Sequence, residues 1–342
     1  MRPALVTQKQ WIKYNFYLAL EHFVGLKNSE KYIRPHRIKL YNEIAKNPGM
    51  ETRGETIDIK TIEFDSFESF ASSNSMDVLL QKPLVFRGVA KDWPSVQKWS
   101  KDFFRQHYSQ TPVSLIDNPG LVDATKENNF TQTNFGKYFE EAEKDKDKYL
   151  RFSRVLDHNP VLLKDLDLTW LRRFKNGLAM HEQTFLFIGE GGTRTPMHAG
   201  FTHTVFIQIK GRKKWTICHP SERVFLDPVA DRVLYFYTHA NPTVNEPDPK
   251  FPLLPYLKKY ELILEDGDVL WLPSLYWHYI DNLTPTIGVA FKYPNMPDSF
   301  KITKMMFTLF FLATKPNIFW SFIYNRKNKQ DYVFNSKSAK FH

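Results

Sequence analysis

The stretch Asp266-Gly267-Asp268-Val269-Leu270-Trp271-Leu272-Pro273-Ser274-Leu275-Tyr276-Trp277-His278 sets a turn, a short apolar run and a histidine in close succession. Asp-Gly-Asp is a turn signal, and Val269–Leu272 after it reads as a strand. A second histidine has a similar setting. His198 stands in Thr195-Pro196-Met197-His198-Ala199-Gly200, after the turn Gly189-Glu190-Gly191-Gly192 and before the apolar run Thr204–Ile209. Further strands are expected at Glu55–Glu63, Pro83–Arg87, Gln183–Ile188, Lys214–Cys218, Leu262–Leu264 and Thr286–Phe291. Many short strands closed by Gly and Pro turns indicate an all-β sandwich or barrel. Short helices are expected at Ser66–Ser72, Ser100–Tyr108, Phe135–Glu143 and Leu162–Phe174, and Pro-rich Asn241–Pro255 as a connection over the barrel mouth. No internal repeat is evident.

The 342 residues are 42% hydrophobic and 15% aromatic, enough side chain for a large core, which excludes a disordered chain. The net charge of +10 points to an acidic partner until it is located. Residues 1–50 hold nine Lys/Arg against three acids, and 301–342 hold eight against one, so the middle of the chain is at −3. A nucleic-acid partner therefore loses its main support. The division expected is a helical basic segment at 1–50, a β-domain at 51–295 and a helical apolar and basic segment at 296–342. Met305–Thr314 is strongly apolar, Lys315-Pro316 interrupts it, and Ile318–Tyr324 follows with Arg326-Lys327. The interrupted run is too short for a bilayer span. Helices packed on each other, on the β-domain or across a homodimer are the first expectation; peripheral membrane contact through the termini is the second. One cysteine, Cys218, cannot form an internal disulfide or a Cys-based zinc cluster, and no secretory signal is read at the N-terminus, so the expected location is cytoplasmic.

Each histidine alone would more often be structural than a ligand; together their settings carry a resemblance. Residues 55–295 resemble the JmjC-like cupin oxygenases, the group that includes the asparaginyl hydroxylase of the hypoxia-inducible factor. The residues that carry it are Lys82-Pro83-Leu84-Val85-Phe86-Arg87-Gly88-Val89-Ala90-Lys91-Asp92-Trp93-Pro94, the Thr-Pro-x-His segment, Gln208–Trp215 and the Gly-Asp-Val-Leu…Trp-His block. The resemblance implies a mostly β, double-stranded β-helix (jelly-roll) core using Fe(II) and 2-oxoglutarate. It implies His198 and His278 as imidazole ligands of iron and Lys213 as partner of the distal carboxylate of 2-oxoglutarate. Thr195 and Tyr149 would add hydroxyl hydrogen bonds to that carboxylate. The alternative for Lys213 is a solvated charge in a basic turn with Arg212 and Lys214.

One departure matters more than the matches. The family motif is His-x-Asp or His-x-Glu, and Gly200 stands at the carboxylate position. Thr204 and Ala290 stand where the family commonly has asparagines. Four readings of Gly200 follow. A halide fills the opened site, as in non-haem iron halogenases, because chloride supplies both the ligand and the missing negative charge. Alternatively, water or His203 completes the set and the enzyme hydroxylates; or another metal such as zinc binds without redox turnover; or the domain is a non-catalytic binding module. The sequence reading leans to halogenation, with chloride as a further ligand. The expected substrate is a small, lipid-like, carrier-bound or peptide-bound molecule.

Several residues invite other readings that fail. Asp266 and Asp268 are better explained by their turn than as a catalytic pair. Asp281 is three residues from His278, and an odd offset on a strand faces the other way. His181, His219 and His239 are scattered, Cys218 has no nucleophile's partner, and Gly189–Gly192 lacks the Lys-Ser/Thr of a phosphate loop.

Overall fold

The computed structural model describes residues 2–47, 54–63, 82–116, 130–145, 148–230, 235–243 and 248–314. The expected helix at Ser66–Ser72 and the run Ile318–Tyr324 lie outside them. Among the described residues fifteen strands run in chain order: β1 Thr56–Ile57, β2 Lys60–Glu63, β3 Leu84–Arg87, β4 Pro112–Ile116, β5 Phe130–Asn134, β6 Tyr149–Ser153, β7 Gln183–Gly189, β8 Arg194–Gly200, β9 His203–Lys210, β10 Lys213–Cys218, β11 Tyr235–Tyr237, β12 Lys259–Leu264, β13 Val269–Leu272, β14 Trp277–Asn282 and β15 Thr286–Tyr293. β4 and β5 form a separate hairpin. The others make two sheets, β1-β12-β10-β14-β8-β11 and β2-β3-β13-β9-β15-β7-β6. Except for the edge pairs β1–β12 and β2–β3, every pairing is antiparallel. This is the jelly-roll core that the family resemblance implied, within the sandwich-or-barrel class that the turns and short runs indicated.

Each sheet is covered on both faces, which is why β9 and β13 are buried along almost their whole length rather than at alternate residues. Between the sheets lie Phe187, Phe206, Trp215, Leu262, Leu270 and Ile280. The outer face of the seven-stranded sheet (Val205, Ile207, Trp271, Val289, Phe291) packs on the short helices between residues 94 and 174. The outer face of the other sheet (Met197, Ala199, Trp277, Tyr279) is covered by helices from both termini.

The N-terminal helices are α1 Gln8–Val24, α2 Leu26–Tyr32 and α3 Arg34–Ile44. Thr7 opens α1 with a capping box to Gln10. A buried ionic knot docks them. Arg37 donates to both oxygens of Glu21, at 2.7 and 3.0 Å, to Tyr14 Oη at 3.1 Å, to the Pro228 carbonyl at 3.2 Å, and to Asp227. The C-terminal helix Lys304–Ala313 lays Met306, Leu309 and Phe310 on the same layer, with Phe310 stacked on Phe201 at 4.2 Å between centroids. Packing on each other and on the β-domain is thus what the described parts of these ends do. No helix of the described residues is long and apolar enough to cross a membrane.

Two expectations need correction. Leu162–Phe174 is two short helices, Pro160–Leu163 and Leu168–Arg172, because Asp167 Oδ1 accepts from Trp170 N at 2.9 Å and starts a new helix. β4, β5, β6, β8, β11 and β14 were not expected as strands. Pro196 and Gly200 disguise β8, and Pro273 with the positive φ of Leu275 (62°) obscures the entry to β14.

Candidate metal and co-substrate site

The sequence places two histidines near strand ends; the fold puts them opposite one another. His198 of β8 and His278 of β14 are direct cross-strand partners, with ring centroids 4.1 Å apart. Both face the space between the sheets. Each ring has its Nδ1 against a carbonyl two residues back, Pro196 O at 2.8 Å for His198 and Tyr276 O at 2.9 Å for His278. A carbonyl only accepts, so Nδ1 carries the proton and the lone pair is left on Nε2 in both rings. Burial pushes the His198 imidazole down to about 4, helped by the Lys292 and Arg151 charges. His278 is also pushed well below the ordinary imidazole value, by burial and by His198. Two neutral imidazoles with available Nε2 atoms are the state a metal ligand needs at neutral pH.

A β-bulge explains how Thr195 joins them. Between the pairs His198–His278 and Thr195–Ile280, β8 carries one residue more than β14. Thr195 is an odd offset from His198, yet it faces the same side as Ile280, which lies between the sheets. Pro196 sits within the bulge, where its missing N–H is tolerated.

Lys213 leads β10 and is 1% exposed. It is placed by a tight turn in which Gly211 has φ +78°, and a Cβ there would lie 2.0 Å from Pro285 O. Its ammonium donates to Tyr149 Oη at 3.3 Å and lies 4.7 Å over the Phe206 ring. No carboxylate pairs with it among the described residues, so it is not the solvated charge of the alternative reading. A buried cation in this state calls for an anion, and a dicarboxylate co-substrate fits. Thr204 is inward on β9, opposite Lys292.

Gly200 is the open position. A Cβ built there meets no heavy atom within 4 Å, so no described residue crowds the position of the absent side chain. No third His, Cys, Asp or Glu joins the two histidines among the described residues. His203 in particular is excluded as a third ligand. It lies on β9 with its side chain on the outer face, stacked on Trp271 at 5.2 Å and against Tyr293. Its Nδ1 accepts from Ser274 N at 3.1 Å. His203 thereby holds the turn that delivers His278, and Leu275 N in that turn donates to Gly200 O at 2.7 Å. The donor set thus fits two imidazole bonds and a co-substrate carboxylate, and among the described residues it gives a metal no third His, Cys, Asp or Glu ligand.

Asp281 faces outward and pairs with Arg194 at 3.4 Å. Asp266 accepts from Gly211 N at 2.6 Å, and Asp268 accepts from Gly88 N at 2.9 Å and pairs with Arg87, so both serve turns. Trp215 is inward as well, stacked over His278 at 5.9 Å, and the inward residues that the sequence reading passed over are Asn282, Arg151 and Lys292. Asn282 was legible: it lies four residues after His278, an even offset on one strand.

The cupin-like domain family profile matches residues 73–299, about two-thirds of the chain, and the chain belongs to that family. The relatives it resembles include JmjC domain-containing protein D of Dictyostelium discoideum, 25% identical over 60% of this chain and 50% of that protein. Lysine-specific demethylase 8 of Danio rerio is 25% identical over 80% of this chain and 69% of that protein. HSPB1-associated protein 1 of Homo sapiens is 26% identical over 60% and 46%. The chain covers from about half to about two-thirds of the length of these relatives. They support the JmjC cupin group as a whole and do not single out the asparaginyl hydroxylase group.

Proposed function

We propose, from membership of the cupin-like family, that this protein is an Fe(II)/2-oxoglutarate-dependent oxygenase with a two-histidine metal site. Lys213 is the observation that carries the reading: a buried ammonium with a tyrosine hydroxyl beside it and no carboxylate partner. It stands opposite Asn282, four residues along β14 from His278. That is roughly 13 Å of strand, which the lysine side chain and a five-carbon dianion span together. His198 and His278 would hold the iron through Nε2, and Lys213, Tyr149 and Thr195 would hold the far carboxylate of 2-oxoglutarate. When bound, the metal and co-substrate supply activation of dioxygen coupled to decarboxylation of 2-oxoglutarate to succinate. Trp215, Phe206 and Phe187 wall the site with apolar surface and keep bulk water from it. Water in the position of the absent carboxylate gives hydroxylation of the substrate.

A halide in that position is the second reading. It is favoured by the room at Gly200 and by the positive charge of Lys292 felt at both imidazoles. Chloride would then make the protein a halogenase. For substrate, a small, lipid-like, carrier-bound or peptide-bound molecule entering on the side of the partly exposed His198 fits either reading.

The test is anaerobic addition of Fe(II) and then 2-oxoglutarate, followed by the visible metal-to-ligand charge-transfer band and by succinate formation in air. A band lost in His198→Ala and His278→Ala and indifferent to chloride supports hydroxylation. A chloride-dependent shift supports the halide reading. With no band and no retained iron, the oxygenase proposal falls and a cupin-shaped binding protein is left.

A further inference from the structure

The space between the sheets holds a second cation with nothing to neutralise it. Lys292 lies on β15 between Thr204 of β9 and Gln183 of β7, facing inward with Ala290. Among the described residues it makes neither a hydrogen bond nor an ion pair; its ammonium stands 5.0 Å over the Phe152 ring. Ala290, two residues back on the same face, is opposite Phe206, which packs on Trp215 at 5.0 Å, and Trp215 stacks on His278, so Lys292 shares the histidines' chamber.

The surroundings are built to hold it there. β6 carries one extra residue between the pairs Leu150–Ile188 and Ser153–Leu186. Within that bulge Phe152 has φ +54°, a costly conformation for an aromatic residue. The bulge turns Phe152 inward against Phe185 and Phe187, at 6.0 and 5.1 Å between centroids, and beneath Lys292. Without a bulge, successive residues would face opposite ways.

Charge bookkeeping then points to a second anion. A divalent metal, Lys213, Arg151 and Lys292 bring five positive charges against two on 2-oxoglutarate. No described residue facing inward from β6 to β15 is a carboxylate, and buried charges are paired. Lys213 is sealed, whereas Lys292 and His198 are both partly exposed, the side from which a substrate enters.

We infer that the substrate carries an anionic group, a carboxylate or a phosphate, and that Lys292 receives it as a specificity-determining residue; this rests on the oxygenase reading above. An ammonium on a flexible stem is a point charge suited to either group.

The test uses the full chain loaded with Mn(II) and N-oxalylglycine, a 2-oxoglutarate isostere that is not decarboxylated. Phenylacetate, phenyl phosphate and the neutral phenylacetamide are titrated as probes. One charge-assisted contact predicts that the anions bind about 10- to 100-fold more tightly than the amide. That preference collapses in Lys292→Met and returns in Lys292→Arg, and the relative affinities of phenylacetate and phenyl phosphate separate the two sources. Absence of an anion preference in the wild-type protein, or a preference that survives Lys292→Met, overturns the assignment. Displacement of the probes by an equal concentration of chloride overturns it too, by making Lys292 part of a halide site. N-oxalylglycine titrated alone into wild-type and Lys213→Met protein reads the oxygenase proposal separately. The anion–amide comparison in Lys213→Met without N-oxalylglycine reads Lys292 even where that proposal fails.

Discussion

Replacing Lys213 by methionine should move two quantities in opposite directions. The ammonium is 1% exposed, bonded only to Tyr149 Oη at 3.3 Å, and without a carboxylate among the described residues. In the ligand-free protein that charge is a liability, and an apolar side chain of similar length relieves it. Substitutions of buried ionic groups by hydrophobic ones are often stabilising by about 1–4 kcal/mol. Taking about 1–3 kcal/mol and an unfolding entropy of about 2.1 cal/mol/K per residue over the chain, the apparent Tm should rise by about 1.5–4 °C. Methionine also fits the aromatic wall, since Phe206 already lies 4.7 Å from the ammonium. With 2-oxoglutarate the sign reverses. A lost charge-assisted bond costs about 1.5–3 kcal/mol, or about 10- to 150-fold in affinity. Calorimetric titration of 2-oxoglutarate and a thermal melt of the ligand-free protein check both halves. Unchanged 2-oxoglutarate affinity would remove Lys213 from the co-substrate site. A lower Tm would refute the uncompensated charge, since it would mean that the ammonium already has its counter-charge in the ligand-free protein.

Gly200→Asp has room for its side chain and should raise Mn(II) affinity at least about tenfold by adding a carboxylate ligand; paramagnetic resonance of bound Mn(II) reads it, and an unchanged affinity says the carboxylate does not reach the histidine pair. Arg37→Ala leaves Glu21 and Asp227 buried without their cation, and should cost about 3–5 kcal/mol in urea unfolding and open the N-terminal helices to protease. A loss below about 1 kcal/mol would mean that water or rearrangement takes over the role of the guanidinium. Burial raises the Glu222 carboxyl from its ordinary 4.5 to about 7 in the folded protein, although Lys258 N and Ser221 Oγ donate to it. The folded state therefore binds the extra proton, so its stabilising effect is complete below about 4.5 and is lost as pH rises through about 7. Glu222→Gln should flatten stability between those pH values and be the more stable protein at pH 8, by up to about 3 kcal/mol; equal slopes for the two proteins would place the titration elsewhere.

How far the site could be read in advance differed residue by residue. His198 and His278 were found because each follows a turn, and Lys213 because a resemblance pointed to it. Phe152, Arg151 and Lys292 left no such trace. Phe152 faces inward because of a bulge, and a bulge breaks the period-two pattern from which facing is read. Thr195 gave the converse lesson: by offset alone it would face away from His198, and only the extra residue in β8 brings it back. His203 was offered as a ligand on sequence distance, but the chain changes sheets between Gly200 and His203 and carries the imidazole to an outer face.

By itself the sequence determined the β-rich core, the helices of the N-terminal segment and the settings of the two histidines, because turn residues and apolar runs are local and each reports its own backbone. It determined equally that the ligand position two residues after His198 has no carboxylate. Tertiary structure alone decided that nothing else among the described residues fills that position, that Lys213 is buried and unneutralised, and that Lys292 shares the histidines' chamber. Those are statements about which groups stand within a few ångströms across two sheets. Register, bulges and the crossing between sheets set such distances, and they arise from pairing between segments far apart in the chain.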